Sequence, residues 1–234
     1  NEIGTILDLQ KVADLCQSNA ALFHTDSVQS VGHYPIDLQK IPLDFLAASA
    51  HKFHGPKGIG FAYIRKNLGL KPQILGGTQE RGLRAGTESI HDIVGLDEAL
   101  SLSYTHLEAE KTKVKALKSY FIEELTTQLP SLKFNGCCHD LDQSTYTLVN
   151  VCLPVSAANA PMFLFQLDLK GIACSKGSAC QSGSGKGSHV LAEILSDEDL
   201  MKPSIRFSFS IYNTKEELKH VVDILKDLVN ETTS

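Results

Sequence analysis

Asp44-Phe45-Leu46-Ala47-Ala48-Ser49-Ala50-His51-Lys52 is the stretch that decides how this chain is read. Its apolar residues are consecutive, not alternating, as in a short strand covered on both faces of a sheet. A polar, glycine-bearing turn follows (Phe53 to Gly58), and Gly60-Phe61-Ala62-Tyr63-Ile64-Arg65 reads as the next strand. Upstream, Ala21-Leu22-Phe23-His24 is another short buried strand, ending at Thr25-Asp26. Before it, Leu9, Val12, Ala13 and Cys16 fall at helical spacing behind Asp8, a suitable N-cap. Helix alternating with fully apolar strands predicts an α/β fold.

Further along, residues 76–88 form a loop with four glycines and no apolar periodicity. A long helix is predicted from Ser89 to Leu129, closed by Pro130. The character then changes. Strands are expected at Thr147–Leu153, Gly171–Ser175 and Ser204–Ser210, and helices at Pro161–Leu169, His189–Leu195 and Thr214–Val229. This gives a smaller α+β domain after the α/β part, with the boundary placed inside the long helix (1–105 and 106–234). Gly177–Gly187, around Cys180, is rich in Ser and Gly.

The 234 residues are 42% hydrophobic and 21% charged, an ordinary globular balance. Twenty-two Lys+Arg against 27 Asp+Glu leave a net charge of −5, which argues against a broad grip on nucleic acid or an anionic membrane surface. No apolar run is long enough for a membrane span, and the polar start Asn1-Glu2-Ile3-Gly4 is not a signal peptide. The six cysteines show no C-x-x-C spacing, so a zinc site has no support and none is expected. A reducing compartment, cytoplasm or organelle matrix, suits them. Cys16 and Cys152 read as small buried hydrophobes.

Five constellations carry chemistry. Lys52, at a strand's carboxyl end beside Ser49 and His51, suits a Schiff base with a phosphorylated aldehyde, although an isolated S-x-H-K is more often a solvated loop lysine. Asp26 in His24-Thr25-Asp26-Ser27-Val28-Gln29 suits a pyridinium nitrogen, with Gln29 donating to a ring oxygen; read alone, a helix cap explains it better. The loop 76–88 is neither a Walker A motif nor a dinucleotide fingerprint; its glycines and Thr87 offer phosphate donors, and a flexible hairpin is an equal reading. Cys180, near Lys176 and free of apolar neighbours, has the features of a reactive thiol. Arg206, amid Ile205 and Phe207, needs either a substrate carboxylate or an internal salt bridge.

In this order the pieces resemble the cysteine desulfurases, pyridoxal 5′-phosphate (PLP) enzymes of aminotransferase-like fold type I. The matching text is Asn1-Glu2-Ile3-Gly4, His24-x-Asp26-x-Val28-Gln29, Ser49-Ala50-His51-Lys52 with Gly55-Pro56-Lys57-Gly58, Glu80-Arg81-Gly82-x-Arg84-x-Gly86-Thr87, Gly177-Ser178-Ala179-Cys180, and Ser204-Ile205-Arg206-Phe207-Ser208. The Gly-Ser-Ala-Cys form is similar to the group that supplies sulfur for iron–sulfur clusters.

The resemblance implies a large, mostly parallel-sheet domain plus a small C-terminal domain. It implies that Lys52 carries PLP and moves the substrate's Cα proton. Asp26 would pair with the pyridine nitrogen, and Gln29 and Asn1 with the ring hydroxyl oxygen. Ser49 and His51 would hold the phosphate, and Thr87 that of a neighbouring subunit in a homodimer. Arg206 would bind the carboxylate of L-cysteine, and Cys180 would receive its sulfur as a persulfide, for delivery to an acceptor such as an iron–sulfur scaffold protein. Cys174 is taken as a strand residue, not a second thiol. Two other readings are another PLP lyase or aminotransferase, such as a selenocysteine lyase, and a non-catalytic fragment that binds partner proteins. The resemblance also implies an N-terminal portion, with further phosphate contacts and a ring-stacking histidine; without it these residues are expected to hold PLP weakly and turn over little.

Overall fold

The computed structural model describes residues 1–177 and 187–233. Cys180, within 178–186, lies outside the described residues. The chain divides into two compact units, Leu7–Glu108 and a second made of Asn1–Ile6 with Ala109–Ser234.

In the first unit, Asp8 caps α1 (Leu9–Ser18), its carboxylate accepting the Lys11 N–H at 3.1 Å. The sheet runs β1 (His24–Asp26), β2 (Phe45–Ser49), β3 (Gly60–Ile64), with β1 parallel and β3 antiparallel to β2. The resemblance implies a mostly parallel sheet; β1–β2 is its parallel pair here, and β2–β3 is antiparallel for a physical reason. A parallel return needs a crossover of roughly a dozen residues or more, and the turn between Ser49 and Gly60 doubles straight back. Glycine makes this possible: a Cβ on Gly55 would sit 2.8 Å from the Ala50 Cβ, and one on Gly60 2.2 Å from the Ala48 carbonyl oxygen. Ala13, Phe23, Val31, Leu43, Leu46, Ala48, Ala50 and Phe53 form the core, with Cys16 half-buried against it.

The long helix α2 (Ile90–Gln128) contributes residues to both units. The second unit continues with β4 (Lys133–Phe134), β5 (Leu148–Cys152), α3 (Ala160–Leu169), β6 (Ser175–Lys176), α4 (His189–Ala192), α5 (Asp197–Leu200), β7 (Ser204–Ser208) and α6 (Lys215–Thr233). Its strands form an antiparallel sheet in the order β4-β5-β7-β6. Every β5 residue is buried, Cys152 included, and Phe121 of α2 meets Phe207 and Phe209 edge-on at 5.2 and 5.5 Å. Burying each such side chain contributes about 1.5–3 kcal/mol before entropy is counted.

Two elements differ from the sequence reading. The strand expected at Gly171–Ser175 begins only at Ser175, because residues 171 and 172 close α3. Gly171 takes φ +78°, its N–H donates to the Asp168 carbonyl, and the Ile172 N–H donates to the Leu167 carbonyl at 2.9 Å. Cys174 therefore precedes β6, and burial, with Asp168 nearby, pushes its thiol up to about 11. The segment Asn1–Ile6 packs with the second unit and not with the first. Asn150 Nδ2 donates to the Glu2 carbonyl at 2.9 Å, the Thr145 N–H donates to the Gly4 carbonyl at 2.7 Å, and Thr5 bridges Ser144.

Beneath that segment lies a lysine with no exposed surface. Lys118 donates to Ser144 Oγ at 2.7 Å and to the Thr145 carbonyl at 2.6 Å. Burial pulls its ammonium from the usual 10.5 down to about 8, against the opposing effect of Cys138. Because the folded value lies below the unfolded one, the unfolded chain binds more protons between pH 8 and 10.5. The penalty is fully present below pH 8 and is relieved as pH rises to 10.5. Relative to Lys118→Met, the wild-type chain is expected to gain ~3 kcal/mol of stability between pH 7 and 10.5. Urea unfolding of both proteins at the two pH values checks this. A difference that does not move with pH would show Lys118 titrating as a free lysine.

Candidate active site

The first unit gathers six of the residues singled out by sequence. β1 and β2 run parallel with Asp26 opposite Ala47, so Asp26 and Ser49 both fall at the carboxyl end of the sheet. Ligands of open α/β sheets bind beyond that edge. Asp26 Oδ1 accepts the Val28 N–H at 3.0 Å, which leaves its other carboxylate lone pairs for a second donor. No helix follows for Asp26 to cap: residues 28–33 are turns, and the Asp26 contact is an Asx turn that does not use up the carboxylate. Gln29 follows in the same turn and is exposed.

Past Ser49 the chain tightens into a 3-10 turn, Ala50–Phe53, holding His51 and Lys52. His54 ends it in the left-handed region at φ 67°, and the Gly55 N–H returns to the Ala50 carbonyl at 2.9 Å. His33 Nε2 lies 3.1 Å from the Lys52 carbonyl, tying the lysine backbone to the loop after β1. The Lys52 side chain is half-buried and His51 is exposed. In the loop 76–88, Glu80 and Arg81 both take positive φ (48° and 57°), a conformation rare for residues with a Cβ. Gln79 Oε1 accepts the Gly86 N–H at 3.2 Å, which fixes the backbone next to exposed Thr87.

The second unit brings Asn1 and Arg206 together. Arg206 sits on β7 between Asn150 of β5 and Ser175 of β6. Its Nη1 donates to the Asn1 carbonyl at 2.7 Å and its Nη2 to Ser175 Oγ at 3.4 Å. Burial lowers the guanidinium pKa, and the Glu2 carboxylate opposes that by raising it. Glu2 is the residue sequence reasoning missed. It belongs to the Asn1–Gly4 motif, yet its side chain is 2% exposed and neither carboxylate oxygen has a hydrogen-bond partner. The signal was the motif itself, in which an acid sits between Asn1 and apolar Ile3.

Among the described residues no helix is long and apolar enough to cross a membrane. An amine, a carboxylate and hydroxyl and imidazole donors at the carboxyl ends of parallel strands, with a mixed α/β architecture, define an aminotransferase-like protein of fold type I. Residues 1–221 match the Aminotransferase class-V family, and the chain belongs to that family. It is similar to cysteine desulfurase IscS of Dictyoglomus turgidum, 38% identical over 231 residues that make up 99% of this chain and 57% of the relative. The putative cysteine desulfurase IscS 1 of Bacillus subtilis is 40% identical over 233 residues, 97% of this chain and 60% of the relative. Of solved structures, a NifS-like protein superposes with a TM-score of 0.83 at 30% identity, covering 98% of this chain and 58% of that one. The chain thus spans a little over half the length of the curated relatives it matches.

Class-V aminotransferases and cysteine desulfurases are PLP enzymes. The donor set here fits that group: Lys52 for its aldehyde, Asp26 for its ring nitrogen, and the Ser49 hydroxyl with the His51 imidazole for its phosphate.

Proposed function

We propose that the full-length protein is a PLP-dependent cysteine desulfurase, which takes sulfur from L-cysteine onto Cys180 and releases L-alanine. The observation that carries this reading is the placement of Asp26 and of Ser49, His51 and Lys52 at the carboxyl ends of adjacent parallel strands. Relatives named as cysteine desulfurases, matching almost the whole of this chain, support it.

Bound PLP supplies an electron sink that makes the substrate's Cα proton removable and its Cβ–S bond weak. The chain's residues do the rest. Lys52 would hold the cofactor through its aldehyde, and the lysine amine would take the substrate's Cα proton. Asp26 would pair with the pyridine nitrogen, Asn1 and Gln29 with the ring oxygen, and Ser49 and His51 with the phosphate. Arg206 grips the substrate carboxylate with its paired N–H donors, which fixes the orientation of Cα. The Cys180 thiolate attacks the substrate sulfur. The Cβ–S bond breaks with its electron pair left on the substrate, Cβ gains a proton to give alanine, and Cys180 keeps the sulfur as a persulfide. Thr87 would reach the phosphate of the second subunit in a homodimer. The persulfide goes to an acceptor protein of iron–sulfur assembly, in the cytoplasm or an organelle matrix.

The test is purification of the full-length protein and incubation with L-cysteine. A visible absorption band from bound PLP and alanine formed in multiple turnovers are expected. A protein that binds PLP and forms no alanine would contradict the reading.

A further inference from the structure

Arg206 and Glu2 carry a relationship that the proposed reaction leaves unused. Glu2 is a buried carboxylate whose two oxygens lack hydrogen-bond partners, and Arg206 Nε is likewise buried without one. An isolated buried carboxylate is among the costlier groups a fold can hold, and it persists only where an opposite charge offsets it. Arg206 is that charge, since Glu2 is the group whose field acts on the guanidinium. Yet the two do not hydrogen-bond. The donors Arg206 does engage go elsewhere, to the Asn1 carbonyl and to Ser175 Oγ.

The backbone explains why they stay apart. Asn150 Nδ2 fixes the Glu2 carbonyl, and Asn150 is itself held by Asn135 Nδ2 at 2.8 Å. Arg206 is held by its place in the middle of β7. Glu2 Oε1 lies 3.7 Å from where a Cβ on Gly177 would be, so the carboxylate faces a residue with no side chain and no competing charge. Glu2 is thus buried within reach of the guanidinium's charge without taking up any of its N–H donors.

We propose that Glu2 is a positioning residue that sets how tightly Arg206 holds a substrate carboxylate, by competing electrostatically for the same guanidinium charge. This rests on the desulfurase reading for the identity of the substrate. A second carboxylate arriving at Arg206 shares one partly buried cation with Glu2. Its binding is weakened, and the product, which carries the same carboxylate, is released more readily.

The experiment compares wild-type full-length holoenzyme with Glu2→Gln, Glu2→Met, Glu2→Asp, Arg206→Ala and the double variant Glu2→Gln/Arg206→Ala. Removing the charge is expected to lower the KM for cysteine and the inhibition constant of alanine by about tenfold. kcat should hold steady or fall as product leaves more slowly. Glu2→Asp, which keeps the charge, should stay within about twofold of wild type. The charge effect should disappear once Arg206 is gone. Calorimetric binding of propanoate, which carries the carboxylate and no reactive group, reads the same change without turnover. Tighter propanoate binding in Glu2→Gln or Glu2→Met supports the inference even if the wild-type protein proves to act on a substrate other than cysteine. Unchanged or weaker binding in the charge-removing variants that fold, or an equal effect without Arg206, would overturn it. A wild-type enzyme that makes no alanine would overturn the functional reading alone.

Discussion

Lys52→Ala is expected to abolish turnover and the visible band of covalently held PLP. Lys52 lies in the turn immediately beyond β2, held by its backbone contact with His33, and it is half-buried at the sheet's carboxyl edge. Losing a positioned proton-transfer group costs about 10²–10⁴ in rate, and losing the covalent link adds to that. The fold should survive, since the core around the turn is built from Ala50 and Phe53. Borohydride reduction followed by peptide mapping gives the answer. A stable PLP adduct persisting on the Lys52→Ala chain would place the cofactor on another lysine.

The second large effect is at Arg206. Alanine there removes the only guanidinium on β7 and is expected to cost about 2–5 kcal/mol in kcat/KM for cysteine, carried mostly by KM, because the guanidinium is partly buried. Arg206→Lys should recover only part of this, since an ammonium lacks the paired donors. PLP loading should fall far less than in Lys52→Ala, as the residues proposed for the phosphate and ring nitrogen lie in the other unit and, of the proposed cofactor residues, only Asn1, for the ring oxygen, contacts Arg206. The check is steady-state kinetics beside the absorption spectrum. An unchanged KM would mean that Arg206 serves the Asn1 carbonyl and Ser175 alone.

Much of this was legible in the sequence where a local signal and the tertiary outcome agree. Asp8 caps α1 as its position implies, the apolar run at 44–50 forms β2, and Cys152 is buried in β5. Thr214 ends up capping α6 through the Glu217 N–H. Legibility failed where the deciding partner is far along the chain. Nothing in the charged stretch Glu108–Lys118 marks Lys118 as buried; Ser144 and Thr145 do that from 26 and 27 residues away. Glu2 reads as a polar turn residue, and its burial is imposed by Asn150, 148 positions on. The two-residue strand β4 has too little pattern to announce itself, and exists because Lys133 and Phe134 pair with Cys152 and Val151. The proposed site residues stood out through the resemblance and not singly: a polar residue at a strand end, such as Lys52 or Asp26, looks the same whether it closes a turn or meets a ligand.

In the proposed reaction sulfur passes from cysteine to Cys180. A single-turnover reaction tests it most directly: full-length protein, one equivalent of L-cysteine, rapid alkylation, then alanine quantitation and mass spectrometry of the peptides. One alanine per active site, with an added sulfur atom on the peptide carrying Cys180 and none on those carrying Cys174 or Cys138, is the result this account predicts. Alanine formed without any persulfide, or a persulfide on a different cysteine, would contradict it.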